Sequence, residues 1–269
     1  MILIFGLGFT GKRLARRLLA RGVETGAVVR GPARFMDLGG AGLRLFDWNS
    51  VMEDSRALPA GSRIALLAPP LGEPGNTQLR DCIAATSPQR VVYISSTGVY
   101  GMSAEVNANT VAQPAGERGV RRMAEEAWVL AGPWSSLVLR AAAIYGPGRG
   151  VHTAVREGRI PRGGDAGVVS RIHVNDLAAL VDAGLFSEIG GAWPAADEDP
   201  CCTAEIVRWC LGAAGPTRPE DFAPAGVPSA SMSGRRVDGR QIFEMLGVEL
   251  QYSSWKTGIP ASLAEEVSG

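Results

Sequence analysis

The sequence has few of the residue types that build metal sites and nucleic-acid interfaces. Histidine occurs only at His152 and His173, which excludes a metal site made of several histidines. The four cysteines include no Cys-x-x-Cys pair, and the adjacent Cys201 and Cys202 are expected to be ordinary thiols near a loop. Basic and acidic residues each number 27, so the net charge is zero. A neutral chain gives no electrostatic reason to expect binding to nucleic acid or to a membrane.

Long apolar runs are also missing from the sequence. None reaches the roughly 18 residues that a membrane span needs. The first residues already have the pattern of a strand, with no charged segment before a long apolar stretch, so we expect no secretory signal peptide and a cytoplasmic location. The chain does have 269 residues, 46% of them hydrophobic, which suffices for the core of one large domain or somewhat more.

Short apolar segments alternate with helical patterns through the first two thirds of the chain. Apolar strands that are separated by helices predict an α/β fold with a doubly wound parallel sheet, because both faces of such a sheet are covered. The predicted strands are residues 2–5, 27–29, 43–46, 64–68, 91–94 and 136–139. The predicted helices are residues 12–21, 119–131, 174–186, 203–212 and 238–246.

A Gly-x-Gly-x-x-Gly motif lies directly between the first strand and the first helix. It comprises Gly6, Gly8 and Gly11, with Phe9 and Thr10 between the last two. The first glycine permits the tight turn, the second lets a diphosphate approach the backbone, and the third lets the helix pack closely. Free amides at the helix start then bind the phosphate anion. The motif predicts a Rossmann-type dinucleotide site; a glycine-rich turn without a ligand is the alternative.

The end of the second strand indicates which dinucleotide is bound. An NAD site has an acidic residue about 20 residues beyond the glycines, to bind the ribose 2′-hydroxyl. Here that position is Arg30, with Arg34 nearby. Because a guanidinium accommodates a 2′-phosphate, NADP is the expected cofactor, with NAD as the alternative. Arg30 could also be a solvated residue at a strand end.

Four further segments extend this pattern along most of the chain. They are SSTGVYG at 95–101, LRAAAIYGPGR at 139–149, RIHVNDLA at 171–178, and the tail from RRV at 235–237 to Gly258. Together with the glycine motif they resemble the extended and atypical short-chain dehydrogenase/reductase superfamily, the NAD-dependent epimerase/dehydratase group. The resemblance implies that Ser96 is the catalytic hydroxyl and that Ser95 lies at the cofactor. It also places Asp47 at the adenine amine, unless Asp47 is a plain turn residue, and Ala68 and Pro69 at the ribose and diphosphate.

The sequence departs from this family at the catalytic pair. The family has a Tyr and, four residues later, a Lys on one helix face; the matching positions here are Arg118 and Arg122. Arg122 could still hold the nicotinamide ribose, and Arg118 could bind an anionic substrate or stabilise an oxyanion. Arginine stays protonated near neutral pH, so Arg118 cannot replace the tyrosine as an acid.

Three explanations for the missing acid stay open. Tyr100 or Tyr145 could approach the nicotinamide from another element. Glu105 or Glu117 could act as an acid or base if burial raised its pKa. Otherwise the protein does not turn over a substrate, and it is an NADP(H)-binding sensor or regulatory protein. We expect an NAD(P)-dependent oxidoreductase or epimerase acting on a small polar metabolite or sugar derivative.

The composition changes after about residue 145, which predicts a second structural unit. We expect residues 1–190 to form the NAD(P)-binding domain, with residues 141–170 contributing to the cleft, and residues 191–269 to form a smaller C-terminal substrate lobe. Five arginines between residues 149 and 171 could bind an anionic substrate, or form a solvated face: Arg149, Arg156, Arg159, Arg162 and Arg171. His173 is expected to be a buried structural residue near a helix cap. A homodimer through helices at residues 76–86 and 119–131 is expected by analogy of fold.

Overall fold

The computed structural model describes residues 1–159, 167–213 and 234–268. Within these ranges the strands are β1 (Ile2–Phe5), β2 (Thr25–Val29), β3 (Arg44–Asp47), β4 (Arg63–Leu66), β5 (Arg90–Ser96), β6 (Glu105–Val106), β7 (Ser135–Ala141), β8 (Ala143–Tyr145), β9 (Val168–Val169), β10 (Arg171–His173), β11 (Gly191–Ala195), β12 (Cys201–Cys202) and β13 (Arg236–Val237). The helices are α1 (Phe9–Ala20), α2 (Met36–Gly40), α3 (Trp48–Glu53), α4 (Gly75–Ala85), α5 (Glu117–Ala131), α6 (Val151–Arg156), α7 (Val174–Leu185), α8 (Thr203–Ala213), α9 (Arg240–Leu246) and α10 (Trp255–Ser268).

Seven strands form one parallel sheet in the order β11-β7-β5-β4-β1-β2-β3. The chain builds outward from β1 to β3, then returns to the other side of β1 with β4 and continues to β11. This reversal makes the sheet doubly wound and creates a crevice between β1 and β4 at their carboxyl ends. The α/β class with a doubly wound, Rossmann-type parallel sheet is therefore confirmed.

Apolar residues fill both faces of the sheet because its central strands are buried on both sides. Leu3, Ile4 and Phe5 in β1 are fully buried, and so are Val91 and Val92 in β5. One cluster packs α1 and α7 on one face, and the other packs α4 and α5 on the opposite face. None of the helices in the described ranges has the length and apolarity to cross a bilayer.

The ends of α5 and α7 are fixed to the sheet by buried charged groups. Arg140 in β7 donates to the Glu126 carboxylate of α5 through Nε and Nη2, the shortest contact being 2.7 Å. Arg90, at the start of β5, donates to the carbonyls of Gly184 and Ile189 at the end of α7. Because these contacts position the helices, they also position the carboxyl edge of the sheet.

The lobe consists of α6, α8, α9 and α10 with three two-stranded sheets, β10-β8, β12-β9 and β13-β6. Its boundary differs from the expected division at residue 190. β11 pairs with β7 along Gly191–Ala195, so five residues that the sequence assigned to the lobe are the edge strand of the central sheet.

Candidate functional site

The glycine turn after β1 lies at the crevice between β1 and β4. Gly6 has φ +105°, and a Cβ atom there would lie 2.6 Å from the backbone nitrogen of Ala68. The amides of Leu67 and Ala68 both donate to the Phe5 carbonyl. The two strand ends therefore touch, which brings the glycine motif beside Ala68 and the exposed Pro69.

The three glycines of the motif have different surroundings. A Cβ on Gly11 would lie 2.2 Å from the Gly6 carbonyl oxygen, so this glycine is required for close packing of α1. Gly8 has φ −84° and is the N-cap of α1, and a Cβ there would meet no atom within 4 Å. Packing within the described residues therefore does not explain Gly8. The space above it lies at the positive end of a helix with no side-chain cap, which suits a phosphate group.

The first turn of α1 also contacts the chain that enters the lobe. The guanidinium of Arg149 lies 5.2 Å from the ring centre of Phe9. A Cβ on Gly146 would lie 3.2 Å from the Phe9 ring, so the ring packs against the Gly146 backbone. Thr10 is buried beside them. The segment after β8 thus forms one side of the candidate diphosphate site.

Cationic and aromatic side chains are grouped at the carboxyl ends of β2 and β3. The exposed Arg30 guanidinium lies 5.2 Å from the Trp48 ring centre. Lys12 lies 5.4 Å from the ring centre of Phe35 in the loop that follows β2. The Asp47 carboxylate accepts the amides of Asn49 and Ser50 and caps α3, as a turn residue would. Its contact with adenine stays a prediction.

Ser95 and Ser96 end β5 with different environments. Ser96 Oγ accepts the Gly98 amide at 3.2 Å, which leaves its hydroxyl hydrogen free to donate. Ser95 is buried, and its hydroxyl has no partner in the described ranges. Ser96 is therefore the serine with a hydroxyl available for a ligand at this edge.

The start of α5 packs against the turn that follows Ser96. A Cβ on Gly119 would lie 3.1 Å from the Gly98 carbonyl oxygen, which explains why the helix needs glycine there. Arg118 precedes it and is exposed. One turn later, Arg122 donates to the Ile94 carbonyl and to the Tyr93 hydroxyl, each at 3.0 Å. The structure therefore holds Arg122 at the end of β5 and leaves Arg118 at the surface.

The two tyrosines that could have replaced the family acid are both buried. Tyr100 is buried, and its hydroxyl accepts from Arg140 at 3.2 Å. Tyr145 is buried in the lobe, where its ring contacts His173 and its hydroxyl lies 3.4 Å from the Ser254 carbonyl. Burial raises the pKa of each hydroxyl, which disfavours proton release. Tyr145 therefore packs in the lobe, and its approach to the nicotinamide stays a prediction.

Glu105 and Glu117 were expected to act as an acid or base only if they were buried, and neither is. The side chains of Glu105 and Glu117 are each 77% exposed. Glu117 pairs with Arg121 one helical turn away, and Glu105 lies 3.8 Å from Arg236. Neither carboxylate has the desolvated environment that the proposed acid or base role requires.

His173 is itself the N-cap of α7. Its Nδ1 accepts the Asn175 amide at 3.2 Å, and its Nε2 donates to Ser262 Oγ, whose own hydrogen goes to the Gly258 carbonyl. Burial lowers the pKa of His173 to about 4. The neutral imidazole is thus a structural group, as the sequence indicated.

Most of the arginine cluster is already paired. Arg156 contacts Glu266, and Arg159 contacts Glu157. Arg171 donates to the carbonyls of Val169 and Cys201. Arg149 lies on Phe9, and Arg162 falls outside the described residues. The expected basic surface over the cleft is therefore much reduced among the residues that can be placed.

Sequence reasoning missed two groups near the sheet edge. Arg235 donates to the carbonyls of Thr97, Gly101 and Ser103 and so fixes the turn after Ser96 to the lobe. Asp197, just beyond β11, is buried with no hydrogen-bond partner for either carboxylate oxygen in the described ranges. Burial raises the pKa of Asp197 to about 8. Both environments depend on residues far apart in the chain, so no local pattern could have identified them.

No family model matches the sequence. A curated relative from Streptomyces, a 3-diazoavenalumate denitrifying reductase, is 37% identical over 120 residues. That match spans 39% of this chain and 38% of the relative, well under half the length of either protein.

Solved structures match the chain over almost its whole length. A conserved protein of unknown function from Silicibacter pomeroyi is 30% identical, with a TM-score of 0.80 and 98% of both chains covered. A Methylobacillus flagellatus protein assigned to the NAD-dependent epimerases and dehydratases is 24% identical, with a TM-score of 0.75 and coverage of 98% of this chain and 97% of that one. The Bordetella bronchiseptica enzyme WbmG, solved with NAD, is 18% identical, with a TM-score of 0.78 and coverage of 99% and 94%. The chain thus has the fold of the extended short-chain dehydrogenase/reductase superfamily, and the family resemblance predicted from its motifs is confirmed.

Proposed function

We propose that the protein binds a nicotinamide dinucleotide at the β1-β4 crevice and acts as a reductase- or epimerase-like enzyme on a small polar metabolite. The observation that carries this proposal is the open space at Gly8. Gly6 and Gly11 are explained by contacts with the protein itself, whereas Gly8 faces unfilled space at an uncapped helix start. A diphosphate would receive the free amides there.

Similar proteins support the choice of cofactor. WbmG has been solved with NAD, and MoeE5, which is 21% identical, has been solved with UDP-glucose and NAD. The partial Streptomyces relative is a reductase. We favour NADP for this chain because Arg30 occupies the position beside the adenosine ribose, where a guanidinium can pair with a 2′-phosphate.

The nicotinamide supplies or accepts the hydride when it is bound. Three residues of the chain would then each have a separate role beside it. Arg122 is held by Ile94 and Tyr93 at the end of β5, where it can bind the ribose. The Ser96 hydroxyl can donate a hydrogen bond to the reacting oxygen of a substrate. Arg118 supplies a fixed positive charge to an anion or oxyanion, but no proton.

The second candidate is a cofactor-binding protein without turnover. It is favoured by the exposed Arg118 at the position of the family tyrosine, and by the burial of Tyr100 and Tyr145. NADPH oxidation over a panel of aldehydes, ketones and nucleotide sugars separates the two candidates. Sustained turnover supports the enzyme, whereas tight NADPH binding with no turnover across the panel supports the sensor.

The cofactor site is tested by Gly8→Leu. Gly8 has a negative φ and no neighbour for its Cβ, so the side chain should leave the fold intact and occupy the diphosphate space. We expect NADP(H) affinity to fall by about 100-fold or more in calorimetric titration, since a displaced diphosphate loses several charge-assisted hydrogen bonds. Gly40→Leu is the matched control, because a Cβ there also meets no atom within 4 Å. Unchanged binding in Gly8→Leu would contradict the proposed site.

A further inference from the structure

The lobe has a partly open cavity of about 190 Å³ between α6, α8, α10 and β8. Its walls are mainly aliphatic and include Val151, Val169, Ile206 and Ile259. Ile206 and Ile259 are each 1% exposed, so this wall belongs to the packed interior of the lobe. An apolar cavity of about 150 Å³ is large enough to hold benzene. The cavity therefore has room for one ring with a short substituent.

One chain segment links the cavity to the candidate cofactor site. Ala141, at the end of β7, is the register partner of Ser96, and two residues later Ala143 lines the cavity. The chain then continues to Gly146, which packs against Phe9 in the first turn of α1. The same short segment therefore connects Ser96, the candidate diphosphate site and the cavity.

Two neutral polar groups line the cavity. His152 is 2% exposed, and its Nε2 lies 3.8 Å from the Glu266 carboxylate, beyond hydrogen-bond distance. The Gly146 backbone is also near the ring, but neither ring nitrogen has a partner of hydrogen-bond geometry within the described ranges. Burial, with the nearby Arg156 charge, lowers the pKa of His152 to about 4, so the ring is neutral at physiological pH and offers one donor and one acceptor. The Tyr145 hydroxyl has only the long 3.4 Å contact with Ser254. These groups match a hydroxyl or a carbonyl on a ligand.

Among the described residues, the lining of the cavity has no free cation that could neutralise a diphosphate. Arg171 is the basic residue of its lining, and it donates to the carbonyls of Val169 and Cys201 and to Thr203. A diphosphate buried here would lose its hydration without gaining a free positive partner, which is strongly unfavourable. A nucleotide sugar also needs more space, since pockets for ligands of that size measure about 300–1,000 Å³.

From this cavity we infer that the substrate is a compact, uncharged ring compound with one hydroxyl or carbonyl substituent, and not a nucleotide sugar. The ring would fill the aliphatic cavity while its substituent bonds to His152 or Tyr145. This inference rests on the proposed function, because the cavity can deliver a substrate only to a cofactor at the candidate site. It narrows the class of substrate from small polar metabolites in general to compact ring compounds. The expected ligand therefore differs from that of WbmG, which has been solved with NAD and UDP.

The test compares ring binding with nucleotide-sugar binding in the full chain loaded with NADPH. Benzaldehyde and phenol are titrated by saturation-transfer NMR, each with and without UDP-glucose. Val151→Phe should fill the cavity and weaken ring binding by about tenfold or more through lost apolar contact. Val155→Phe, on the same helix and similarly half-buried but outside the lining, is the matched control. Ile206→Ala should enlarge the cavity and improve binding of 2-naphthaldehyde over wild type.

Ring binding that Val151→Phe weakens, that Val155→Phe preserves and that UDP-glucose does not displace supports the inference. Equal effects of the two valine variants, or tighter binding of UDP-glucose than of either ring, would overturn it. If Val151→Phe does not fold, failure of Ile206→Ala to favour the larger ring overturns it instead. NADPH binding without ring binding refutes this inference alone, whereas ring binding without NADPH binding refutes the proposed function and leaves the cavity assignment standing.

Discussion

Single residues at the sheet edge determine which ligand chemistry the protein can offer. The glycine turn between β1 and α1 could be predicted from the sequence because it depends on nearby positions in one strand-turn-helix unit. The cofactor contacts of these glycines and of Arg30 stay predictions. The environments of Asp197 and Arg235 could not be predicted, because the groups that surround them come from distant parts of the chain. The missing tyrosine was also visible in the sequence, but the burial of Tyr100 and Tyr145 required the structure.

Arg30 carries a prediction at this scale. Arg30→Ala should weaken NADPH binding by about tenfold or more, because the 2′-phosphate loses a charge-assisted contact, and should leave NADH binding unchanged. Calorimetric titration of both cofactors measures the difference. The control is Arg44→Ala, since Arg44 makes a similar contact with Phe46, 5.3 Å from its ring centre, at the opposite end of β3. Equal losses for NADPH and NADH would count against a role in cofactor selection.

At the scale of elements, the long helices and buried strands follow from local patterns, and the short strands do not. The predicted strand at residues 2–5 coincides with β1, and the predicted helix at 119–131 differs from α5 by two residues at its start. By contrast, β6 and β13 have two residues each and pair across about 130 positions of the chain. A two-residue strand has no periodicity, so only its distant partner defines it. The five residues of β11 are likewise defined by their pairing with the distant β7, which the local sequence does not show.

The contact between α5 and β7 depends on a buried ion pair, which gives a prediction for this scale. Glu126→Gln leaves the Arg140 guanidinium buried without its counter-charge and should lower the free energy of unfolding by about 3–5 kcal/mol. Urea unfolding measures the change. Glu117→Gln on the same helix removes an exposed pair with Arg121 and should cost less than about 0.5 kcal/mol. Similar costs for the two variants would show that burial of the Arg140–Glu126 pair is not decisive.

For the whole molecule, buried Asp197 should make folding stability depend on pH. Its pKa is about 8 in the folded protein, against about 3.9 in an unfolded chain. Between these values the folded state binds more protons, so stability falls as pH rises, by up to about 1.4 kcal/mol per unit. Asp197→Asn removes this loss. The variant should therefore gain stability relative to wild type from pH 5 to pH 8.

Thermal and urea unfolding across that range measure the difference between the two proteins. The buried histidines contribute equally to the pH dependence of stability in wild type and in Asp197→Asn, so their contributions cancel in the difference. Asp37→Asn, whose parent side chain is 65% exposed, should follow the wild-type profile, because an exposed carboxylate stays hydrated in both states. A pH-independent difference between wild type and Asp197→Asn would refute an abnormal titration of this carboxyl group.

The three bonds from Arg235 to the turn after Ser96 mean that sheet and lobe are not separable modules. A fragment that stops before this arginine would keep every glycine of the turn after β1 and still lose the support of the segment that follows Ser96. The tail of this chain is therefore part of the framework of the candidate site.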